Sequence, residues 1–392
     1  MVIKDYVIKE KDYIVSLRRY FHENPEESLK EYITAEKIEE ELNKLGIPSK
    51  RVGETGVLGV IKGDLKGENT VALRADIDAL KVNDYKNEEY KSKKDGFMHA
   101  CGHDGHTASL LGAAKILNEK KVMISGEIRL FFQQAEEIGQ GAKIFINEGL
   151  LENVDSIFGV HVASDIPVGK VAIVEGPICA SCDYFKIKVK GKSAHVSKLH
   201  LSVDALYIAS QIVVSVQGIV SRNTDPVDTV IVGIGTMKAG TIYNAVAGEV
   251  VLEGTTRTFT KESRDRANKS IADIARNIAS MYNVEVEVEF RDYASPLVND
   301  SIVCSEIHNV AEKVVGDTNI IRNYPKKLGA DDFAEYLMLV PGAYAQVGTR
   351  NRERPNTGVS HHNEYFDIDE EGLLVATNIQ VDYVLNRLGK CC

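Results

Sequence analysis

The sequence predicts an α/β protein: a mostly parallel central sheet with helices on both faces, interrupted by an inserted α+β domain of ferredoxin-like order. Three observations carry that expectation. Strand-length apolar runs alternate with segments of helical period up to about residue 161, the pattern of a sheet built from βαβ units. A β-α-β-β-α-β succession then occupies 183–291, and helical period returns after it. Finally, Asp76, Glu136, Glu137 and His161 all fall just beyond predicted strands, the edge at which open α/β sheets gather their ligands.

From about residue 8 to 45 the spacing of Ile14, Leu17 and Phe21, then of Ala35, Ile38, Leu42 and Leu45, predicts two helices ending at Gly46. Strands follow at 56–61 and 70–74, the second running into Asp76. Leu110, Leu111, Ala114 and Leu117 make a helix face. A strand at 127–132 leads into Glu136-Glu137, a helix spans 142–151, and a strand at 156–161 ends on His161. In the insert, Phe185, Ile187 and Val189 alternate with lysines, a helix runs 203–219, and strands follow at 229–234 and 249–257. A helix over 261–282 precedes Val284, Val286, Val288 and Phe290, which alternate with glutamates. Helices near 302–315 and after Asp369 complete the chain. Segments 1–182 and 292–392 together form one catalytic domain around the insert 183–291.

At 392 residues the chain exceeds one comfortable core. Its composition, 44% apolar and 27% charged, is that of a globular protein. A net charge of −10 argues against nucleic acid or an anionic membrane as partner. The N-terminus has no apolar core of a signal peptide, and no apolar run is expected to approach membrane-spanning length. Six cysteines in so long a chain do not form a disulfide framework, which points to a reducing cytoplasm. Cys179-x-x-Cys182 has no second pair to complete a zinc knuckle, and Cys391-Cys392 is an unusual tail.

The chemistry concentrates between Met98 and His106, where one thiol and three imidazoles fall within nine residues threaded by two glycines. Thiolate and imidazole suit a borderline-soft divalent metal. Cys101 and His103 are two apart, so both heads can point to one side of a strand end. Glu137, His161 and the late pair His361-His362 supply further ligand types. Glu136 and Glu137, adjacent on a turn, point in different directions, so one can bind metal while the other serves an attacking water as base. An isolated Glu-Glu pair is ordinarily a solvated surface. Its position after Leu130-Phe131-Phe132 reverses that reading.

Arg74-Ala75-Asp76-Ile77-Asp78-Ala79-Leu80 and His99-Ala100-Cys101-Gly102-His103-Asp104-Gly105-His106-Thr107 resemble the dinuclear aminoacylase/carboxypeptidase metallopeptidases. The branch is that of hippurate hydrolases, N-acyl-amino-acid deacylases and auxin-conjugate hydrolases. Phe132–Glu137, Ile157–His161 and Gly254–Phe259 match in order, so the resemblance spans nearly the whole chain. It implies a zinc-exopeptidase-like catalytic domain with a lid and dimerisation domain, and two divalent ions (Zn, Mn, Co or Ni). Cys101, His103, Glu137, His161 and His362 would be the ligands, Glu136 the general base, and Asp76 would orient a ligand. Arg74 stands where other branches carry a ligand histidine.

The resemblance further implies that His195 polarises the scissile carbonyl in the partner subunit of a homodimer. Asn244 and Arg257 would hold the substrate carboxylate, an arginine being its natural bidentate partner. The branch pattern is broken at Gln134, Lys198, Ala247 and Asp331, which bears on substrate preference. The expected activity is hydrolysis of N-acyl amino acids. A dipeptidase or carboxypeptidase would use the same machinery, and a non-catalytic binding protein would lack a ligand or the base. A zinc nucleobase deaminase would need an H-x-E and P-C-x-x-C pair that is absent.

Overall fold

The computed structural model describes residues 3–389; the Cys391-Cys392 tail lies outside the described residues. Two compact units result: Met1–Gly176 with Val298–Pro325 and Asp331–Cys392, and Pro177–Leu297 with Lys326–Ala330.

The first unit opens with α1 (Asp5–Ile8), α2 (Lys11–Glu23) and α3 (Tyr32–Lys44), so a short turn of helix precedes the two expected. Next come β1 (Ser49–Val52), β2 (Gly56–Lys62), β3 (Leu65–Asp76), α4 (His103–Glu119), β4 (Ser125–Gln133), α5 (Gly141–Asn147), β5 (Ser156–Pro167) and β6 (Val171–Ala172). The chain crosses to the second unit through β7 (Gly176–Cys179). That unit contains β8 (Cys182–Lys190), α6 (Ala205–Asn223), β9 (Val230–Ala239), β10 (Glu249–Thr258), α7 (Lys261–Met281) and β11 (Val286–Ala294). The return runs through β12 (Leu297–Asn299), α8 (Ser301–Val315), β13 (Ile320–Ile321), α9 (Phe333–Leu337), β14 (Gly342–Arg350) and α10 (Glu371–Leu388).

The first unit's sheet has the order β1-β2-β4-β3-β5-β14-β6-β13. Its centre, β4-β3-β5-β14, is parallel, whereas β2 meets β1 and β4 antiparallel. No helix separates β1, β2 and β3, so the short turns between them permit only reversal. Register places Asp76 opposite Gln133 and Arg74 opposite Gly159, which brings the carboxyl ends of β3, β4 and β5 to one edge. Helix α4 lies within the core, buried at nearly every position from His103 to Leu117. Gly112 allows this: a Cβ there would come within 2.6 Å of Ile14 Cγ1 on α2.

The second unit has the predicted β-α-β-β-α-β order. Its antiparallel sheet runs β11-β8-β10-β9, and Phe185, Ile187, Val189, Val250 and Leu252 bury against Ile208, Ile212, Ile271 and Ala275 of α6 and α7. Asp204 and Thr260 cap the two helices by accepting backbone N–H groups. On β8 and the flanking strands, Lys190 pairs with Glu287 and Lys188 with Glu249. One expectation needs correction. Helix α6, with mean hydropathy 1.2, is by length and composition one helix apolar enough to cross a membrane. Its Ile208, Ile212, Val216 and Ile219 instead form the core of this unit.

Candidate metal centre

The metal loop turns into α4 at Gly102, whose φ of 89° belongs to the left-handed region; a Cβ there would lie 2.3 Å from Val162 Cγ2. Only glycine lets the backbone between Cys101 and His103 press against β5. His103, first residue of α4, places Nδ1 2.9 Å from the Asp78 carbonyl. The carbonyl accepts a proton there, which turns Nε2 toward the cluster. That Nε2 lies 3.7 Å from Asp76, 3.9 Å from Glu136 and 3.9 Å from Glu137.

His161, near the middle of β5, behaves alike. Its Nδ1 donates to the Val162 carbonyl at 2.6 Å, and Nε2 stands 3.6 Å from Cys101 Sγ. The late loop joins through the His362 N–H, which donates to the Ala100 carbonyl at 2.8 Å. His362 Nε2 is 3.6 Å from Glu137 Oε1. Its neighbour His361 places Nε2 3.1 Å from the Val162 carbonyl.

Glu136 and Glu137 form a 3₁₀ turn framed by positive φ at Ala135 (55°) and Gly139 (64°). The Asp78 carboxylate accepts both of their N–H groups, at 3.1 and 3.0 Å. Asp78 is therefore a positioning residue that the sequence reading passed over. Its only signal was the alternation Asp76-x-Asp78 after a strand. Asp76 itself receives Arg74 at 2.6 Å and His106 at 2.5 Å. His106 Nε2 in turn accepts the Val162 N–H at 2.9 Å, so the third imidazole of the loop braces β5. Arg74 also reaches Asp332 (2.9 Å) and Gln133 (2.9 Å), and lies 3.5 Å from Asp331.

Potential ligand atoms fall into overlapping trios within 4.8 Å, among them Cys101-His103-His161 and Cys101-Glu137-His362. Cys101 belongs to both. His103 Nε2 and Glu137 Oε1 are buried without a hydrogen-bond partner, a costly arrangement unless a cation takes both. Burial pushes Glu137 up to about 7, and burial with Asp331 and Glu137 nearby pushes Glu136 well above the carboxylate range. Burial and Glu137 likewise raise the Cys101 thiol. Each of these shifts records the cost of ionising carboxylates and a thiol side by side in a buried place, a cost that a divalent cation bound among them would offset.

His195, Asn244 and Arg257 belong to the second unit. His195 Nδ1 accepts the Ser197 N–H at 3.1 Å, which assigns its proton to Nε2 and makes that atom a donor. The Val196 N–H donates to the Asn244 carbonyl at 3.1 Å, so the segments carrying His195 and Asn244 are adjacent. Arg257, on β10, has a buried Nη1 without a hydrogen-bond partner.

Behind the metal loop lies a buried ionic cluster. Arg18 donates to Asp104 at 2.9 Å and Asp367 at 2.7 Å, and His22 Nδ1 lies 2.7 Å from Asp104. Neither ring nitrogen of the buried His99 has a hydrogen-bond partner, and burial pushes its pKa down to about 3. An unfolded histidine binds a proton near pH 6.5 that native His99 refuses until about 3. His99 thus lowers stability progressively as pH falls across that window. Glu31, pushed up to about 7 by burial, works in the opposite sense between 7 and its unfolded value. The clean readout is therefore a comparison of parent and His99→Phe. We expect the parent's thermal midpoint to fall relative to the variant's as pH drops from about 6.5 toward 3. Parallel curves would refute a neutral His99.

Residues 72–386 match the family model described as peptidase family M20/M25/M40. The chain is 41% identical to thermostable carboxypeptidase 2 of Saccharolobus solfataricus, covering 95% of this chain and 94% of that one. It is 37% identical to N-acetylcysteine deacetylase of Bacillus subtilis, covering 93% and 94%. Among solved structures, the Bacillus subtilis YxeP protein, a dinuclear-metal-binding peptidase of the M20 family, superposes with a TM-score of 0.82 at 34% identity over 97% and 99% of the chains. The fold and the donor cluster define a metal-dependent hydrolase of the amidohydrolase type. The chain belongs to the M20/M25/M40 peptidase family.

Proposed function

We propose that this protein hydrolyses the amide bond of N-acyl amino acids with two divalent ions. The observation that carries the reading is the Glu136-Glu137 turn. One carboxylate joins Cys101 and His362 in a trio of donors, while the other is held beside it by the same Asp78. Cys101, His103, Glu137, His161 and His362 would hold the ions, with Cys101 common to both trios. Bound there, the ions would supply Lewis acidity to the carbonyl and lower the pKa of a water. Glu136 takes the proton of the attacking water and delivers it to the leaving nitrogen. Asp76 braces the site through His106 and Arg74. His195, with its proton on Nε2, donates to the developing oxyanion, and Arg257 with Asn244 holds the carboxylate of the amino acid. Residues 1–182 and 292–392 would act as catalytic domain and 183–291 as lid.

The test is amine release from N-acetyl, N-benzoyl and indoleacetyl amino acids and dipeptides, using metal-stripped protein re-supplied with Zn, Mn, Co or Ni. Metal-dependent turnover of an acyl amino acid supports the reading. Turnover of peptides alone would replace it with a dipeptidase or carboxypeptidase, the reading favoured by the similarity to thermostable carboxypeptidase 2.

Cytoplasmic placement and a homodimer belong to the same proposal. Supporting the dimer, α6 leaves Leu206, Tyr207, Val214 and Val220 exposed, and β9 is an edge strand with Ile231 and Met237 open. If His195 serves a second copy, mixing inactive Glu136→Gln and His195→Ala proteins restores activity. In a mixed dimer one site regains both groups, so about a quarter of parental activity is expected at equal amounts. No recovery after verified subunit exchange would sink the arrangement.

A further inference from the structure

Among the described residues, five that are not glycine have a left-handed backbone: Leu29 (φ 65°), Ala135 (55°), Asn153 (59°), Asn283 (56°) and His362 (65°). Asparagine tolerates that conformation, and Asn283 does so just past the end of α7. For the other three the Cβ makes it costly. Ala135 sets the turn that carries Glu136, and His362 is in the donor cluster. Both strained residues therefore serve the metal centre directly.

Leu29 is the third, and it is fastened to the same place. Ser28 Oγ donates to Asp78 Oδ2 at 2.7 Å, the carboxylate that accepts the Glu136 and Glu137 N–H groups. Glu27 forms a parallel bridge with Ala79, so the turn is tied both to Asp78 and to the residue after it. Core packing does not account for the strain, because the Leu29 side chain is 38% exposed. On the other turn held by Asp78, Ile138 follows Glu137 and is 40% exposed. Two turns hung from one carboxylate, one of them carrying the glutamate pair, thus each display a large exposed aliphatic residue.

We propose that Leu29, assisted by Ile138, forms the apolar subsite for the acyl group and so determines acyl specificity. The inference rests on the N-acyl amino acid reading. There Arg257 and Asn244 take the carboxylate end, which leaves the acyl end to residues around Glu136. An aliphatic side chain offers no hydrogen bond, so it discriminates by apolar area covered. A long or aromatic acyl group gains from it, and an acetyl group gains little.

The experiment measures kcat/KM on acetyl, butanoyl, octanoyl and benzoyl derivatives of one amino acid, for parent, Leu29→Gly, Leu29→Met and Ile138→Ser. Leu29→Gly removes the side chain while suiting the left-handed backbone, so its thermal midpoint should equal or exceed the parent's. We expect it to lose about tenfold or more on octanoyl and benzoyl substrates and under about threefold on acetyl. Leu29→Met should retain the preference, and Ile138→Ser should fall between. Octanoate, the product acid, should inhibit Leu29→Gly correspondingly less. A loss uniform across acyl groups, or one that follows the amino-acid side chain, would overturn the assignment while leaving N-acyl hydrolysis intact. Parent protein that turns over none of these substrates would overturn the functional reading and this inference together. The parent's own rates tell the two failures apart.

Discussion

Replacing Glu136 by Gln is expected to lower kcat by about a hundred- to ten-thousandfold, the range over which a positioned general base acts, with metal content unchanged. The isosteric amide keeps the volume and the turn, since the Asp78 contacts go to backbone N–H groups rather than the side chain. It removes the one thing a base needs, a group that can accept and release a proton. Burial, with Asp331 and Glu137 nearby, penalises the ionised form of Glu136, and a neutral amide never incurs that penalty. The metal-free variant should therefore melt no lower than the parent. Metal analysis, a substrate titration and a thermal melt on one preparation check all three statements. If metal content falls with activity, Glu136 is a ligand and the roles of 136 and 137 must be exchanged. If turnover persists, the base lies elsewhere.

The second large effect is expected at Cys101. Its sulfur belongs to the trio with His103 and His161 and to the trio with Glu137 and His362, whereas each of those four partners belongs to only one of the two. Cys101→Ser substitutes a harder, weakly acidic hydroxyl for a donor that deprotonates on metal binding. We expect the variant to lose both ions on dialysis, whereas His362→Ala retains one. Zinc content per chain after identical dialysis distinguishes them, and activity should fall with occupancy in each. Retention of one ion by Cys101→Ser would show that the sulfur serves a single position. Because Cys101 has a natural pKa raised by burial and Glu137, binding to the parent should release a proton near neutral pH, and binding to the variant should release fewer. Calorimetry in buffers of different ionisation enthalpy reads that difference.

Much of the architecture was legible in the sequence because it is written in periodicity. The period of 3.6 in α2, α3 and α7 and the alternation in β8 and β11 follow from having one wet face and one dry face. The donor cluster was legible for another reason. A thiol, imidazoles and paired carboxylates at the ends of apolar runs are residue types with few structural uses in that setting. Where an element is dry all round, neither signal exists. β14 reads Gly-Ala-Tyr-Ala-Gln-Val-Gly-Thr-Arg and is buried throughout except at Arg350. With no wet face it has no alternation, and its small residues look like a loop until β5 is seen beside it.

By itself, then, the sequence determined the two-part α/β and ferredoxin-like plan, the metal loop and the carboxylate pair. Tertiary structure alone decided which chemically identical groups face the centre. His106 has the same imidazole as His103, yet it is consumed by Asp76 and the Val162 N–H. His361 turns to the Val162 carbonyl, while the left-handed backbone of His362 sets its ring beside Glu137. Asp78, two residues from Asp76, supplies no cluster atom yet holds both glutamates and the Leu29 turn. The physical reason is common to all four. A side chain's type is local, but its free lone pair depends on which backbone donors and acceptors other strands bring within 3 Å.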